Sequence, residues 1–220
     1  MLKQLRKLVY VANKQFQRQG LTDATWGNVS GIDRERELVV VKPGDVACKE
    51  LTSEDMLIID MDGNVKDGEG KPSPDVLTQL QLYKAFPKIG GIAFIHSTWA
   101  TAFTQAGLGI APFGLKHTQH FRGTIPCTRT LTDEEICELY EEGVGSAIIE
   151  TFASIDPMTV PAVLVKHYAP FTWGESPSHA VSHAVALEKV AKLAYHTTML
   201  GLASRRKVAP VPDSFYDMRG

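Results

Sequence analysis

One histidine, His96, closes the apolar run in "GGIAFIHSTWAT", where a predicted strand gives way to a helix. An imidazole at a strand end can hold a divalent metal or exchange a proton near neutral pH. Two more, His117 and His120 in "LKHTQH", stand three apart, which suits one helical turn. No helix is predicted there, so a role as polar pocket or loop residues competes with metal binding. Lys166 and Tyr168 in "VKHYAPF" share parity along a predicted strand. A desolvated lysine beside a tyrosine can attack a carbonyl and form a Schiff base. Lys116 is a second candidate of this kind, although for a single lysine extension into solvent is the commoner outcome. Asp75 opens a predicted helix, where a carboxylate can move protons or simply favour the helix dipole.

These groups need a frame, and hydrophobic periodicity supplies one. Leu2, Leu5, Val9, Ala12 and Phe16 recur at intervals of three and four, predicting a helix over the first nineteen residues that ends at Gly20. "TWGNVSGID" reads as a polar turn and "ELVVVK" as a strand. "LIIDMDGNVKDG" predicts two strands around an Asp62-Gly63 turn. A helix over "SPDVLTQLQLYKAF" precedes the buried strand "IGGIAFIH", and Ser97 or Thr98 caps the next helix. Thr132 and Glu135 have capping-box spacing. "SAIIETF" and "PAVLVKHY" are expected strands, and a last helix is expected over residues 178–199. The tail "KVAPVPDSFYDMRG" is expected on the surface or on a neighbour. A strand meander interspersed with helices predicts an α/β domain with a mixed central sheet, as one unit over residues 1–220.

Composition narrows the partners. The 220 residues are 44% hydrophobic, enough for one buried core. A net charge of −2, from 23 basic and 25 acidic residues, gives no electrostatic reason to expect nucleic acid or a membrane surface. No apolar run reaches the ~20 residues of a spanning helix, and the N-terminal helix does not read as a signal peptide. Cys48, Cys127 and Cys137 lack a metal spacing and are expected as free thiols in a reducing cytoplasm.

The strings "TWGNVSGIDRE", "KPSPD", "FRGTIPCTRTLTDEEI" and "PFTWGESPSHAVSHAVALE" resemble the L-ribulose-5-phosphate 4-epimerases of the class II aldolase/adducin family, in order from residue 1 to about 200. The resemblance implies a three-layer α/β/α sandwich around a mostly antiparallel sheet, and a homotetramer with sites between subunits. It also implies a zinc-type ion on three histidines that supports retro-aldol cleavage of a small sugar phosphate. A Lewis acid suits that chemistry because negative charge develops on adjacent oxygens. Asp75 then matches a catalytic aspartate, and Tyr216 a tyrosine donated across a subunit boundary. Asn28, Ser30, Lys42 and Ser73 match phosphate and substrate contacts.

The departures from this pattern cluster at the pocket. Of three metal histidines only His96 remains; Phe94 and Tyr168 stand at the other two positions, with His167 one residue out of register. Gln119 replaces a second aspartate and cannot exchange a proton. Gly44 and Pro74 stand where the family has phosphate-binding serines, and Asp45, in place of a glycine, would repel a phosphate if it faced the pocket. Framework strings stay intact. The reading preferred on the sequence is an epimerase scaffold whose pocket has been remodelled, by engineering or in a natural paralogue, with metal weak or absent and native activity weak or lost. An active metal-dependent epimerase or aldolase and an inactive binding homologue are the alternatives.

Overall fold

The computed structural model describes residues 1–22, 27–44 and 46–217. Asp45, on which the phosphate-repulsion expectation falls, lies outside them.

Helix α1 (Lys3–Arg18) buries Val9, Ala12, Asn13 and Phe16 on one face, as the periodicity predicts, and ends before Gly20 in the left-handed region at φ 66°. Its Asn13 docks it to the sheet: the amide donates to the Val29 carbonyl at 2.7 Å and accepts from the Val29 N–H at 3.0 Å. Val29 belongs to β1 (Asn28–Asp33), which occupies the stretch expected to be a turn. The reason is tertiary, since the polar residues that suggested a turn, Asn28 and Ser30, are buried against side chains of α2 (Val76–Ala85). β2 (Leu38–Val41), β3 (Leu57–Asp60) and β4 (Val65–Asp67) complete the meander, with Asp62-Gly63 at the expected turn.

β5 (Gly91–Phe94), β6 (Ala162–Leu164) and β7 (Pro170–Gly174) join them in one seven-stranded sheet of order β4-β3-β2-β1-β5-β7-β6. Every neighbouring pair is antiparallel. This meets the mostly antiparallel sheet implied by the resemblance and corrects the mixed sheet read from the element order, since no parallel crossover joins two neighbouring strands.

Helices cover both faces. On one, α2 packs against α6 (Tyr140–Thr151), and its Tyr83 hydroxyl reaches Ser30 at 2.9 Å. On the other lie α1 and the long α7 (Pro177–Ala203). Gly31, Gly91 and Gly174 stand side by side across β1, β5 and β7. A Cβ on Gly91 would collide with the Pro177 backbone, and one on Gly174 would lie 2.6 Å from the His179 Cβ. This row of missing side chains is what lets the first turn of α7 lie directly on the sheet.

Three other expectations need correction. "SAIIETF" is helical, the end of α6: its β-branched residues favour a strand, but Ala147 and Ile148 pack into the core as one helical face. β6 stops at Leu164, and residues 165–169 form a hairpin loop closed by Val165 N–H to Ala169 O at 3.2 Å and Tyr168 N–H to Val165 O at 3.0 Å. Strand parity therefore does not relate Lys166 to Tyr168. "LKHTQH" contains a short helix, α4 (Leu115–Thr118), which local propensity did not reveal. The remaining helices are α3 (Thr98–Ala106), α5 (Asp133–Glu138), whose capping box between Thr132 and Glu135 is formed as expected, and α8 (Ser214–Asp217). Among the described residues no helix is long and apolar enough to cross a membrane.

Candidate functional site

Directly opposed residues on antiparallel strands share a face, so the register Asn28–Phe94–Phe171 sets three side chains in a row on the side covered by α2. Asp75 lies at the N-terminus of α2 over this row. Its carboxylate makes no cap bond to its own helix. It instead accepts from the Ser73 hydroxyl at 2.5 Å, the Asn28 amide at 3.3 Å and the Tyr168 hydroxyl at 3.3 Å. Behind Asn28, the Gln79 amide donates to the Asn28 carbonyl oxygen at 2.7 Å. All these dipoles run toward Asp75, which makes it the terminal acceptor of a hydrogen-bonded centre.

Aromatic rings form the other wall. Phe94, fully buried, stacks on Tyr168 with centroids 5.3 Å apart and meets the His96 ring edge-on at 4.8 Å. Tyr140 packs edge-on against Tyr168 at 5.2 Å. Burial first, and then the Asp75 charge, push the Tyr168 phenol well above its ordinary range, so it stays protonated and donates. His96 follows β5, its N–H bonded to the Leu21 carbonyl at 3.0 Å.

The turn after His96 is held from a distance. Ser97 is the N-cap residue of α3, but its hydroxyl donates to Glu188 of α7 at 2.5 Å. The Glu188 carboxylate in turn accepts from the N–H groups of Trp99 and Ala100, both at 2.9 Å. It supplies the helix cap that Ser97 was expected to provide.

The structure thus gathers Asn28, Ser73, Asp75, Tyr168 and His96. Ser30 lies on the same face but is committed to Tyr83. Lys42, 5% exposed, donates its ammonium to the Pro43 and Val46 carbonyls at 2.9 and 3.0 Å, tying up its own loop. That loop abuts Ser73, because Gly44 donates to Lys71 O at 2.9 Å and has room only for a hydrogen beside the Ser73 nitrogen.

His117 and Tyr216 meet elsewhere, at Gly123. The Gly123 N–H donates to the Tyr216 hydroxyl at 2.8 Å, and its carbonyl meets His117 Nε2 at 2.7 Å. Arg122 covers the Tyr216 ring at 5.5 Å. Lys116 and Gln119 are exposed on α4 and at its end. Lys166 goes to a third place: its stem lies against Gly107 at the end of α3, near Cys127. Burial raises the Cys127 thiol, and the Lys166 charge opposes part of that shift. Cys127 and Cys137 are free thiols.

The donor set around His96 does not fit a zinc ion on three histidines. The Phe94 ring meets His96 and stacks in turn on Tyr168, and no three His, Cys, Asp or Glu groups converge among the described residues. Sequence reasoning missed Gln79, Tyr140 and Glu188. Gln79 alone carried a local signal, being four residues after Asp75 and so on the same helical face.

Among solved structures, the chain is similar to an L-fuculose 1-phosphate aldolase at 20% identity and TM-score 0.80, covering 98% of this chain and 93% of that one. It is similar to YgbL of Escherichia coli, described as a putative aldolase/epimerase/decarboxylase, at 21% identity and TM-score 0.73, covering 99% of each chain. An L-fuculose-1-phosphate aldolase of Thermus thermophilus matches at 22% identity and TM-score 0.68, covering 91% of this chain and 99% of that one. Residues 7–195 match the class II aldolase and adducin N-terminal domain. With its antiparallel sheet between helical layers and a match over most of its length, the chain belongs to the class II aldolase/adducin family.

Proposed function

We propose that this protein is a class II aldolase-fold relative of the L-ribulose-5-phosphate 4-epimerases with a remodelled centre, one that recognises a small carbonyl or polyhydroxy compound through hydrogen bonds instead of a tightly held zinc ion. The observation that carries this reading is the Phe94–Tyr168 stack beside His96, with Tyr168 hydrogen-bonded to Asp75. Aromatic carbon takes the place of two nitrogen ligands, so metal binding is weak and native epimerase activity is weak or lost. What remains is a donor and acceptor pair. Tyr168, kept protonated, can donate to a ligand carbonyl, and Asp75 can accept from a ligand hydroxyl. Asn28 and Ser73 hold the Asp75 carboxylate in place for that task. The reading takes the chain as one domain that assembles into a homo-oligomer, a tetramer by analogy with the family, with a small molecule as its ligand.

Metal analysis of the purified protein, paired with turnover of L-ribulose 5-phosphate with and without added zinc, tests this. Substoichiometric zinc and no zinc-dependent turnover are expected. Zinc-dependent epimerisation at a family-like rate would overturn the reading and restore the metal-dependent alternative.

A further inference from the structure

The outer face of α1 carries charge that its own chain leaves unanswered. The helix holds five cations, Lys3, Arg6, Lys7, Lys14 and Arg18, and no acid. Arg6 pairs with Asp67 at 3.2 Å. The other four form no ion pair with a carboxylate among the described residues. At about 100° per residue these four fall within about 60° of one another, away from the buried Val9 and Phe16, as a stripe about 22 Å long. Val11 lies within the stripe and Leu8 beside it, 50% and 49% exposed. The matching pattern stands on the other side of the sheet. Residues 132–142, "TDEEICELYEE", hold six acids and no cation. Glu135 is taken by Arg129 at 2.7 Å. Asp133, Glu134, Glu138 and Glu142 are exposed and form no ion pair among the described residues. Ile136 and Leu139 accompany them, 49% and 47% exposed. This segment is α5 and the start of α6, which pack on each other and on α2, whereas α1 lies with α7 on the opposite face. The net charge of −2 therefore hides a polarised molecule.

We propose that these two surfaces bind each other between copies of the chain, with α1 of one copy lying on the 133–142 segment of the next. The occupant is a second copy because that segment supplies both the charges opposite to Lys3, Lys7, Lys14 and Arg18 and two half-exposed aliphatic side chains to cover Leu8 and Val11. Like charge keeps either patch from meeting itself across a two-fold axis. Their placement on opposite faces of the sheet keeps two copies from exchanging both contacts at once. The contact is therefore heterologous, and it closes as a ring or runs on as a filament. The proposal rests on the homo-oligomer of the proposed function and assigns its surfaces; a tetramer built this way is a ring of four.

Light scattering and sedimentation of the full chain test this. An oligomer larger than a dimer is expected, with its dissociation constant raised about tenfold or more as salt goes from about 50 to 500 mM. Lys7→Glu with Arg18→Glu, and separately Glu134→Lys with Glu138→Lys, alter exposed side chains and leave the core untouched. Each pair should raise the dissociation constant about tenfold or more. Mixing the two double variants should bring assembly back with the two proteins alternating, because each carries the charge that the other's reversed patch needs. Circular dichroism confirms that both variants are folded. Oligomers of unchanged mass and affinity in both variants, or a mixture no larger than its components, overturn the proposal and leave the homo-oligomer reading standing. A chain that stays monomeric at about 100 μM in low salt overturns both.

Discussion

Replacing Phe94 and Tyr168 together by histidine should convert this centre into a zinc site, and the structure gives the numbers to judge it. Zinc binds imidazole nitrogen at about 2.0–2.1 Å, so each ring centre lies about 3.2 Å from the metal and two tetrahedral ligands have centroids about 5.2 Å apart. The Phe94 ring is 4.8 Å from His96 and 5.3 Å from Tyr168. Position 94 therefore already stands from each of the other two rings at a spacing that zinc accepts. Without metal the variant should be less stable. Phe94 is fully buried, and an imidazole there loses apolar packing and brings a polar edge into the core, for about 3 kcal/mol. Loss of the Tyr168 hydroxyl bond to Asp75 adds about 1 kcal/mol. Together these lower Tm by about 8–16 °C at 2–4 °C per kcal/mol for a chain of this size. Zinc at a hundredfold excess over Kd returns about 2.7 kcal/mol. Thermal denaturation with EDTA and with zinc, together with metal stoichiometry, measures both halves. A folded double variant that binds no stoichiometric zinc, or whose Tm ignores zinc, would refute the inference that only side chains separate this centre from a metal site.

Two further outcomes follow from the frame. Arg34 donates to the carbonyls of Tyr83, Phe86 and Ile89 at 2.7, 2.9 and 2.8 Å, closing the C-terminal end of α2. At about 1 kcal/mol for each of the three bonds of this exposed side chain, Arg34→Met should cost about 3 kcal/mol in urea denaturation, with Arg34→Lys intermediate. Glu135 is held down to about 2, first by Arg129 and then by the Thr132 N–H, against an ordinary 4.5. A depressed carboxylate stabilises the fold fully above its unfolded value and loses that contribution as pH falls through its folded value. Tm should therefore decline between about pH 4.5 and 2, and Arg129→Gln should flatten that decline.

How much of this was readable in advance depended on whether the deciding contacts were local. The amphipathic face of α1, the Asp62-Gly63 turn and the Thr132 capping box rest on neighbours within a few residues, and each formed as the sequence suggested. β1 did not, because Asn28 and Ser30 look like turn residues until Gln79 and Tyr83 bury them from another element. The 146–152 segment misled in the opposite sense: its isoleucines suggest a strand, and packing of α6 against α2 decides for a helix. At the centre, Asp75, Asn28, Ser73, Tyr168 and His96 were legible as a set through the family resemblance. Lys166 was paired with Tyr168 on strand parity, and the 165–169 hairpin loop removes that link.

Glu188 carries one last consequence, for the order in which the molecule is built. The turn after His96 receives its cap from a residue far later in the chain, in the final long helix. Contacts so distant along the chain form only after the intervening segment has closed. The strands can pair and α3 can begin to wind, yet the N-terminus of α3 keeps unmatched N–H groups until α7 lies across the sheet. A chain cut before residue 188 would lack that cap even with every residue around Asp75 present. The turn beside the centre thus depends on a helix that contributes none of its hydrogen bonds to Asp75.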